Sequence, residues 1–134
     1  MISVLVADDN GIVREGLRRL LESEHDIKVV GEARDGREVL DAVDTHEPQG
    51  VGFDIPMPRL GGLETLERLR SKHADIKVIL LSVHGDSPFI QSAISLGVDG
   101  YVLKNGPAEE IITAIREVMK GGSYFSPVVA REIV

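Results

Sequence analysis

Residues able to carry chemistry stand directly after four of the short apolar runs in the sequence. They are, in chain order, Asp8 and Asp9 after the first run, Asp54 after the third, Ser82 after the fourth and Lys104 after the fifth. Carboxylate oxygens are preferred ligands of Mg²⁺, and a carboxylate held beside Mg²⁺ and a lysine can attack a phosphoryl group. If these positions converge in the fold, the sequence predicts a site that takes up phosphate on an aspartate.

The three aspartates would repel one another if they lay close together, and a divalent cation would offset that repulsion. We expect Asp9 and Asp54 to bind Mg²⁺, with Asp8 acting through a water molecule. Pro56 has no backbone N–H group, but its carbonyl oxygen is available as a further ligand. The three carboxylates are balanced by Mg²⁺ and Lys104, so an incoming anion would not meet net repulsion.

Asp54 is the expected nucleophile of this site. Mg²⁺ and Lys104 would offset the charge on the phosphoryl oxygens during an in-line transfer. The hydroxyl of Ser82 can donate a hydrogen bond to a phosphoryl oxygen, and since this bond exists only while phosphate is present, Ser82 is the expected sensor. Taken singly, each residue is typical of a helix cap, a loop hydroxyl or a solvated charge. Their joint placement favours the chemical interpretation.

Five short runs rich in Val, Ile and Leu predict the strands that must position these residues. They are Ile2 to Ala7, Ile27 to Val30, Val51 to Phe53, Ile76 to Leu81 and Tyr101 to Leu103. Helical spacing of apolar residues follows each run. Strict βα alternation predicts an α/β fold with a parallel sheet and helices on both faces. Because sites in such sheets form at the carboxyl ends of strands, the candidate residues should share one edge.

The composition indicates one globular domain and excludes several classes of protein. The chain has 134 residues, of which 43% are hydrophobic and 28% charged, and its formal net charge is −7. It has no cysteine, which excludes disulfides, thiolate zinc sites and iron–sulfur clusters. An acidic surface should repel nucleic acid. Short apolar runs and the lack of a signal-peptide pattern predict a cytoplasmic chain that does not interact with membranes.

Six motifs together resemble the receiver domain of two-component response regulators, in particular the LuxR/NarL/FixJ-like branch. The resemblance runs from Ile2 to about Pro127. The motifs are VLVADD ending at Asp9, VREGLRRLL ending at Leu21, FDIPMP around Asp54, LSVH at Ser82, GYVLK ending at Lys104 and GGSYFSP around Ser123. The resemblance implies a flavodoxin-like (βα)5 fold, in which a doubly wound, five-stranded parallel sheet has the strand order 2-1-3-4-5.

The resemblance also implies a role for each candidate residue. Asp8 and Asp9 would organise Mg²⁺, and Asp54 would accept phosphate from a sensor histidine kinase. Ser82 would move to meet the phosphate that Lys104 binds. Apart from self-catalysed phosphorylation and dephosphorylation at Asp54, no enzyme activity is implied.

Tyr101, three residues before Lys104, matches the aromatic switch position of the family. A Ser82 hydroxyl drawn toward phosphate would leave space for the Tyr101 ring. The surface formed by the fourth helix, the fifth strand and the fifth helix would then change. We expect this change to favour homodimerisation and to control an output domain in transcription.

The receiver domain is predicted over residues 1–122, and residues 123–134 are predicted to form a C-terminal extension. Ser126 and Pro127 can start a short helix there. In the family such a tail leads to a helix-turn-helix domain, so the extension is expected to begin a linker to a DNA-binding domain that this chain lacks. DNA would be contacted only through that domain.

Several residues depart from the family pattern. Gly50 and Gly52 stand in the third strand, where branched apolar residues are usual. Pro56 could alter the shape of the metal-binding loop. Asn105 follows Lys104, where many receivers have proline, so a cis peptide at this position stays an open question. The departures keep open a degenerate receiver that binds partners without phosphorylation.

Two alternatives from other classes are less favoured. A flavin-binding electron carrier of this fold needs a phosphate loop rich in Ser, Thr and Gly, whereas Asp8 and Asp9 occupy that loop. A hydrolase with an aspartyl-phosphate intermediate needs a general acid two residues after the nucleophile. That residue is Pro56, which has no proton to donate.

Overall fold

The computed structural model describes residues 1–54, 61–82 and 87–133, with all side chains except those of Phe53, Asp54, Ser87 and Phe89. Strands and helices alternate along the chain. They are β1 (Ile2–Ala7), α1 (Gly11–Glu22), β2 (Ile27–Ala33), α2 (Gly36–His46), β3 (Gly50–Asp54), α3 (Gly62–Lys72), β4 (Lys77–Ser82), α4 (Ser87–Ser95), β5 (Gly100–Leu103), α5 (Glu109–Met119), β6 (Tyr124–Phe125) and α6 (Pro127–Ile133). None of the helices in the described ranges has the length and apolar composition that crossing a bilayer requires.

The strands form one parallel sheet in the order β2-β1-β3-β4-β5-β6. Its first five strands confirm the predicted α/β fold and the order 2-1-3-4-5. The predicted number of five strands is wrong, because Tyr124 and Phe125 pair with Gly100 and Tyr101 as a sixth strand. A two-residue strand is too short to show the alternation of apolar and polar residues by which strands are recognised in a sequence.

Apolar side chains pack against both faces of the sheet. In β1, Leu5 and Ala7 belong to a cluster with residues of α2, α3, α4 and α6, whereas Val4 and Val6 belong to a second cluster with α1 and α5. Alternate residues of a strand point to opposite faces, so each strand contributes to both clusters. The two clusters confirm the predicted helices on both faces, and they hold the strands in register between two layers.

Gly50 and Gly52 of β3 have different surroundings. A Cβ atom on Gly50 would lie 2.5 Å from Met119 Cε, so the flexible end of the Met119 side chain would have to shift to admit it. A Cβ atom on Gly52 would meet only Ile79 O and Leu81 Cδ1, each at 3.9 Å. An apolar cavity of about 20 Å³ adjoins both glycines on the face that α1 and α5 cover. The lack of a side chain at Gly52 therefore leaves space that the neighbouring residues do not fill.

Candidate functional site

The carboxyl ends of β1, β3, β4 and β5 lie at one edge of the sheet. Three register pairs join these ends: Ala7 with Phe53, Asp54 with Leu81, and Ser82 with Leu103. The backbone N–H of Lys104 donates a hydrogen bond to the carbonyl oxygen of Ser82, at 2.8 Å. The register therefore brings the backbone of Asp8, Asp54, Ser82 and Lys104 to the same edge.

Asp8 is held by several contacts at this edge, and only 1% of its surface is exposed. Its Oδ1 accepts a hydrogen bond from the backbone N–H of Asn10 at 2.9 Å, and its Oδ2 lies 2.5 Å from Lys104 Nζ. Its own N–H donates to the carbonyl oxygen of Ala33 at 3.1 Å. The buried carboxylate is thus compensated by a lysine ammonium and by a backbone donor, as a buried charge requires.

Asp9 differs from Asp8 because it is exposed. Within the described ranges, no side chain forms an ion pair or a hydrogen bond with its carboxylate. Immediately after it, Asn10 caps α1, since the Asn10 side chain accepts hydrogen bonds from the N–H groups of Ile12 and Val13. Asp8 and Asp9 offer only oxygen atoms, and this donor set fits a hard cation such as Mg²⁺.

Ser82 and Tyr101, the two residues of the expected switch, are both fully buried. Ser82 ends β4, and Tyr101 lies in β5 between Leu80 and Phe125 of the neighbouring strands. The Tyr101 ring belongs to the cluster on the side of α2, α3, α4 and α6. The Tyr101 ring therefore lies inside the protein, and Tyr101 stands two residues before Leu103 in β5.

The structure leaves part of the predicted metal site undescribed. Asp54 ends β3, but its side chain and the whole of Pro56 lie outside the described residues. Among the side chains that are described, no three acidic, histidine or cysteine residues lie close enough to hold a metal ion. The peptide bond between Lys104 and Asn105, for which the sequence left a cis conformation open, is trans.

Arg14 and Glu32 contact this edge although the sequence motifs do not single them out. Arg14 Nη1 donates to the carbonyl oxygen of Asp8 at 2.8 Å, and its Nε donates to Glu32 Oε1 at 3.0 Å. Arg18 Nη1 lies 2.5 Å from Glu32 Oε2. Although partial burial opposes ionisation of Glu32, the hydrogen bonds from Arg18 and Arg14 hold its pKa below the usual range. A signal for this network exists in the sequence: arginines four residues apart share one helix face.

Comparison with known proteins supports one family. A sequence profile described as the response regulator receiver domain matches residues 4–116. The response regulator UvrY of Escherichia coli (strain K12) is 38% identical over 133 residues, which cover 99% of this chain and 61% of UvrY. The response regulator GacA of Pseudomonas protegens is 39% identical over 134 residues, which cover all of this chain and 63% of GacA. The chain spans about three fifths of the length of these relatives.

Solved structures show the same fold. A two-component response regulator of the LuxR family from Aurantimonas sp. SI85-9A1 has a TM-score of 0.94 and 33% identity, and the match covers 98% of this chain and 94% of that one. The isolated receiver domain of RcsB from Salmonella enterica serovar Typhimurium, solved with the phosphomimetic BeF₃⁻, has a TM-score of 0.91. It is 24% identical, and the match covers 98% of this chain and 97% of that one, so it supports the fold alone.

Proposed function

Because the chain belongs to the response regulator receiver domain family, a family of signalling domains rather than classical enzymes, we propose that it accepts a phosphoryl group on Asp54. The resulting change would pass to an output domain. The observation that carries this proposal is the 2.5 Å pair of Lys104 and Asp8 at the edge where β3 ends in Asp54. An ammonium group held at an acidic edge can meet the oxygens of an incoming phosphoryl group.

In the proposed reaction, a carboxylate oxygen of Asp54 attacks the phosphorus of a phosphohistidine on a sensor kinase. The P–N bond breaks, the electron pair returns to the histidine nitrogen, and that nitrogen gains a proton from solvent. Lys104 Nζ would then share its hydrogen bonds between Asp8 and the phosphoryl oxygens. Mg²⁺, when held by Asp9, Asp54 and the carbonyl oxygen of Pro56 with Asp8 acting through water, would supply positive charge to offset those oxygens.

The proposed signal runs through Ser82 and Tyr101. Phosphorylation makes the Asp54 side chain more negative and adds strong acceptor oxygens, by analogy with other phosphorylated residues. A hydrogen bond from the Ser82 hydroxyl to one of these oxygens would favour a second packing of the Tyr101 ring. Since Tyr101 is fully buried beside α4 and α6, its repacking would alter the surface of α4, β5 and α5.

We further propose that this surface favours a homodimer after phosphorylation and that DNA is contacted only through a helix-turn-helix domain outside this chain. The length of the relatives leaves room for such a domain, because the match covers 61% of UvrY and 63% of GacA. The net charge of −7 argues against DNA contact by the receiver domain itself.

The test of phosphorylation is to incubate the chain with Mg²⁺ and acetyl phosphate and to measure intact mass. One phosphoryl adduct that hydroxylamine removes is expected, because acyl phosphates are labile to hydroxylamine. Asp54→Asn should carry none. A chain that gains no adduct would instead act as a phosphorylation-independent interaction module, and an equal adduct on Asp54→Asn would refute the assignment of Asp54.

A further inference from the structure

Arg14 reaches from the second turn of α1 to the loop that carries the acidic pair. Its side chain is 18% exposed, and it bridges two acceptors, the carbonyl oxygen of Asp8 at 2.8 Å and Glu32 Oε1 at 3.0 Å. The planar guanidinium group can hold both acceptors at once in a fixed geometry. Glu32 lies at the end of β2, so the position of Arg14 is tied to the sheet as well as to its own helix.

The contact with the Asp8 carbonyl matters because of its place in the backbone. The carbonyl oxygen of Asp8 belongs to the peptide plane before Asp9, and the N–H of Asn10 belongs to the peptide plane after it. Arg14 holds the first plane, and Asp8 Oδ1 holds the second by accepting the Asn10 N–H at 2.9 Å. Because peptide units are planar, fixing both planes sets the two backbone dihedral angles of Asp9. The direction of the Asp9 side chain then follows.

Asp9 has no ion pair or hydrogen bond from any described side chain to orient its carboxylate, so its direction depends on the backbone. We propose that Arg14 is a positioning residue for Asp9, which presents that carboxylate to a divalent cation by holding the peptide plane between Asp8 and Asp9. This inference rests on the proposed function, since it assigns Asp9 to the Mg²⁺ site.

The positioning role and a purely electrostatic role of Arg14 predict opposite results. A guanidinium charge near a cation site repels the cation, so removing only that charge would strengthen Mg²⁺ binding. Loss of an oriented ligand weakens binding, and removing residues that orient metal ligands typically costs 10-fold to 100-fold in affinity. Lysine at position 14 keeps the positive charge but lacks the planar guanidinium group that donates to both acceptors. Arg14→Lys should therefore also weaken Mg²⁺ binding.

Arg18 provides the matched control. It is also an α1 arginine that pairs with Glu32, at 2.5 Å, but within the described ranges its side chain forms no hydrogen bond or ion pair with residues 8–10. Arg18→Ala therefore removes an ion pair of the same network without releasing the Asp8 carbonyl. A loss of affinity confined to the Arg14 variants separates positioning from general damage to the network.

The experiment is an NMR titration of the unphosphorylated chain with Mg²⁺, following the amide signals of Asp9 and Asn10. For Arg14→Ala and Arg14→Lys we expect dissociation constants roughly 10-fold higher, and faster amide hydrogen exchange at Asn10 without metal. Arg18→Ala should match the unaltered chain. Thermal unfolding of each variant in EDTA verifies that it folds.

Equal or tighter Mg²⁺ binding by Arg14→Ala, in a chain whose unaltered form binds Mg²⁺, would overturn the positioning role alone. An equal loss in Arg18→Ala would overturn it as well. An unaltered chain that binds no Mg²⁺ would overturn both this inference and the metal site of the proposed function. The phosphoryl adduct on Asp54 is measured separately by mass, so the two failures are distinguishable.

Discussion

The pair of Asp8 and Lys104 joins residues 96 positions apart in the sequence. Its carboxylate is 1% exposed and its ammonium group lies on a side chain that is 20% exposed. Removing one partner of a buried ion pair leaves the other charge uncompensated, which costs more than the net contribution of the pair itself. The pair therefore fixes the end of β5 to the end of β1 as long as both charges are present.

Lys104→Met should lower the free energy of unfolding by about 3 kcal/mol, because the Asp8 carboxylate would stay buried without its cation. Adding Asp8→Asn to this variant removes the buried carboxylate charge that has lost its partner. It should restore part of the lost free energy of unfolding. Urea unfolding at neutral pH of both single variants and the double variant gives the coupling energy. A double variant no more stable than Lys104→Met would contradict the explanation.

Sequence reasoning could place Asp8 and Lys104 at one edge but could not pair them. Parallel pairing follows from the alternation of strands and helices, and the strand order is implied by the family resemblance. Together they determine where strand ends meet. Which carboxylate Lys104 contacts depends on the rotamers and the burial of the side chains. The pattern of apolar and polar residues does not determine either. The motifs do not single out Arg14 for a related reason. Arginines spaced as Arg14 and Arg18 are typical of a solvated helix face, and their partner Glu32 lies on a different element.

Among the elements, β6 and α6 extend the core beyond Gly121 and Gly122, since Val129 of α6 is fully buried. The Ser126 hydroxyl accepts a hydrogen bond from the N–H of Leu103 and is hydrogen-bonded to Glu110 of α5. Gln91 of α4 donates from Nε2 to the carbonyl oxygen of Glu132 in α6, at 2.8 Å. These contacts connect the C-terminal extension to α4, β5 and α5, whose surface is proposed to change on phosphorylation. The domain boundary after residue 122 stays a prediction.

Val129→Ala should destabilise the chain by about 2 kcal/mol, because Val129 is fully buried in the cluster that contains Tyr101. Val128→Ala removes the same atoms from a side chain that is 46% exposed, and it should change stability by less than about 0.5 kcal/mol. Thermal or urea unfolding compares the two. Equal effects would mean that α6 does not pack on the core in solution.

The sequence predicts the start of α6 but not the strand β6. The helix α6 starts at Pro127, as the pattern at Ser126 and Pro127 predicts, since proline fits the first turn of a helix. The strand β6 has no comparable signal. It is held by hydrogen bonds from Tyr124 N to Asp99 O and from the N–H of the following residue, Ser126, to Tyr101 O, and both depend on where β5 lies.

For the chain as a whole, ion pairs between elements make stability depend on pH. Hydrogen bonds from Arg116 of α5 hold the pKa of Asp26 below its usual range, and those from Lys72 and His73 do the same for Asp44. A carboxyl whose pKa is lower in the folded chain contributes stability above its unfolded pKa. That contribution is lost as the pH falls through the folded value.

Arg116→Met should reduce the free energy of unfolding at pH 7, and its difference from the unaltered chain should shrink between about pH 5 and about pH 3 as Asp26 becomes protonated. Urea unfolding at a series of pH values measures this difference. Arg19→Met breaks an exposed pair with Glu15 and should have little effect at any pH. A difference that stays constant over the range would refute the role of Arg116.

The two-residue length of β6 also affects how copies of the chain meet one another. Unpaired backbone groups on a long edge strand invite another polypeptide to add to the sheet, which is a common route to aggregation. Here β6 occupies part of the outer side of β5, and the helix that follows it turns the backbone away after two residues. The half of β5 that holds the buried tyrosine, Gly100 and Tyr101, is thereby shielded from intermolecular strand addition.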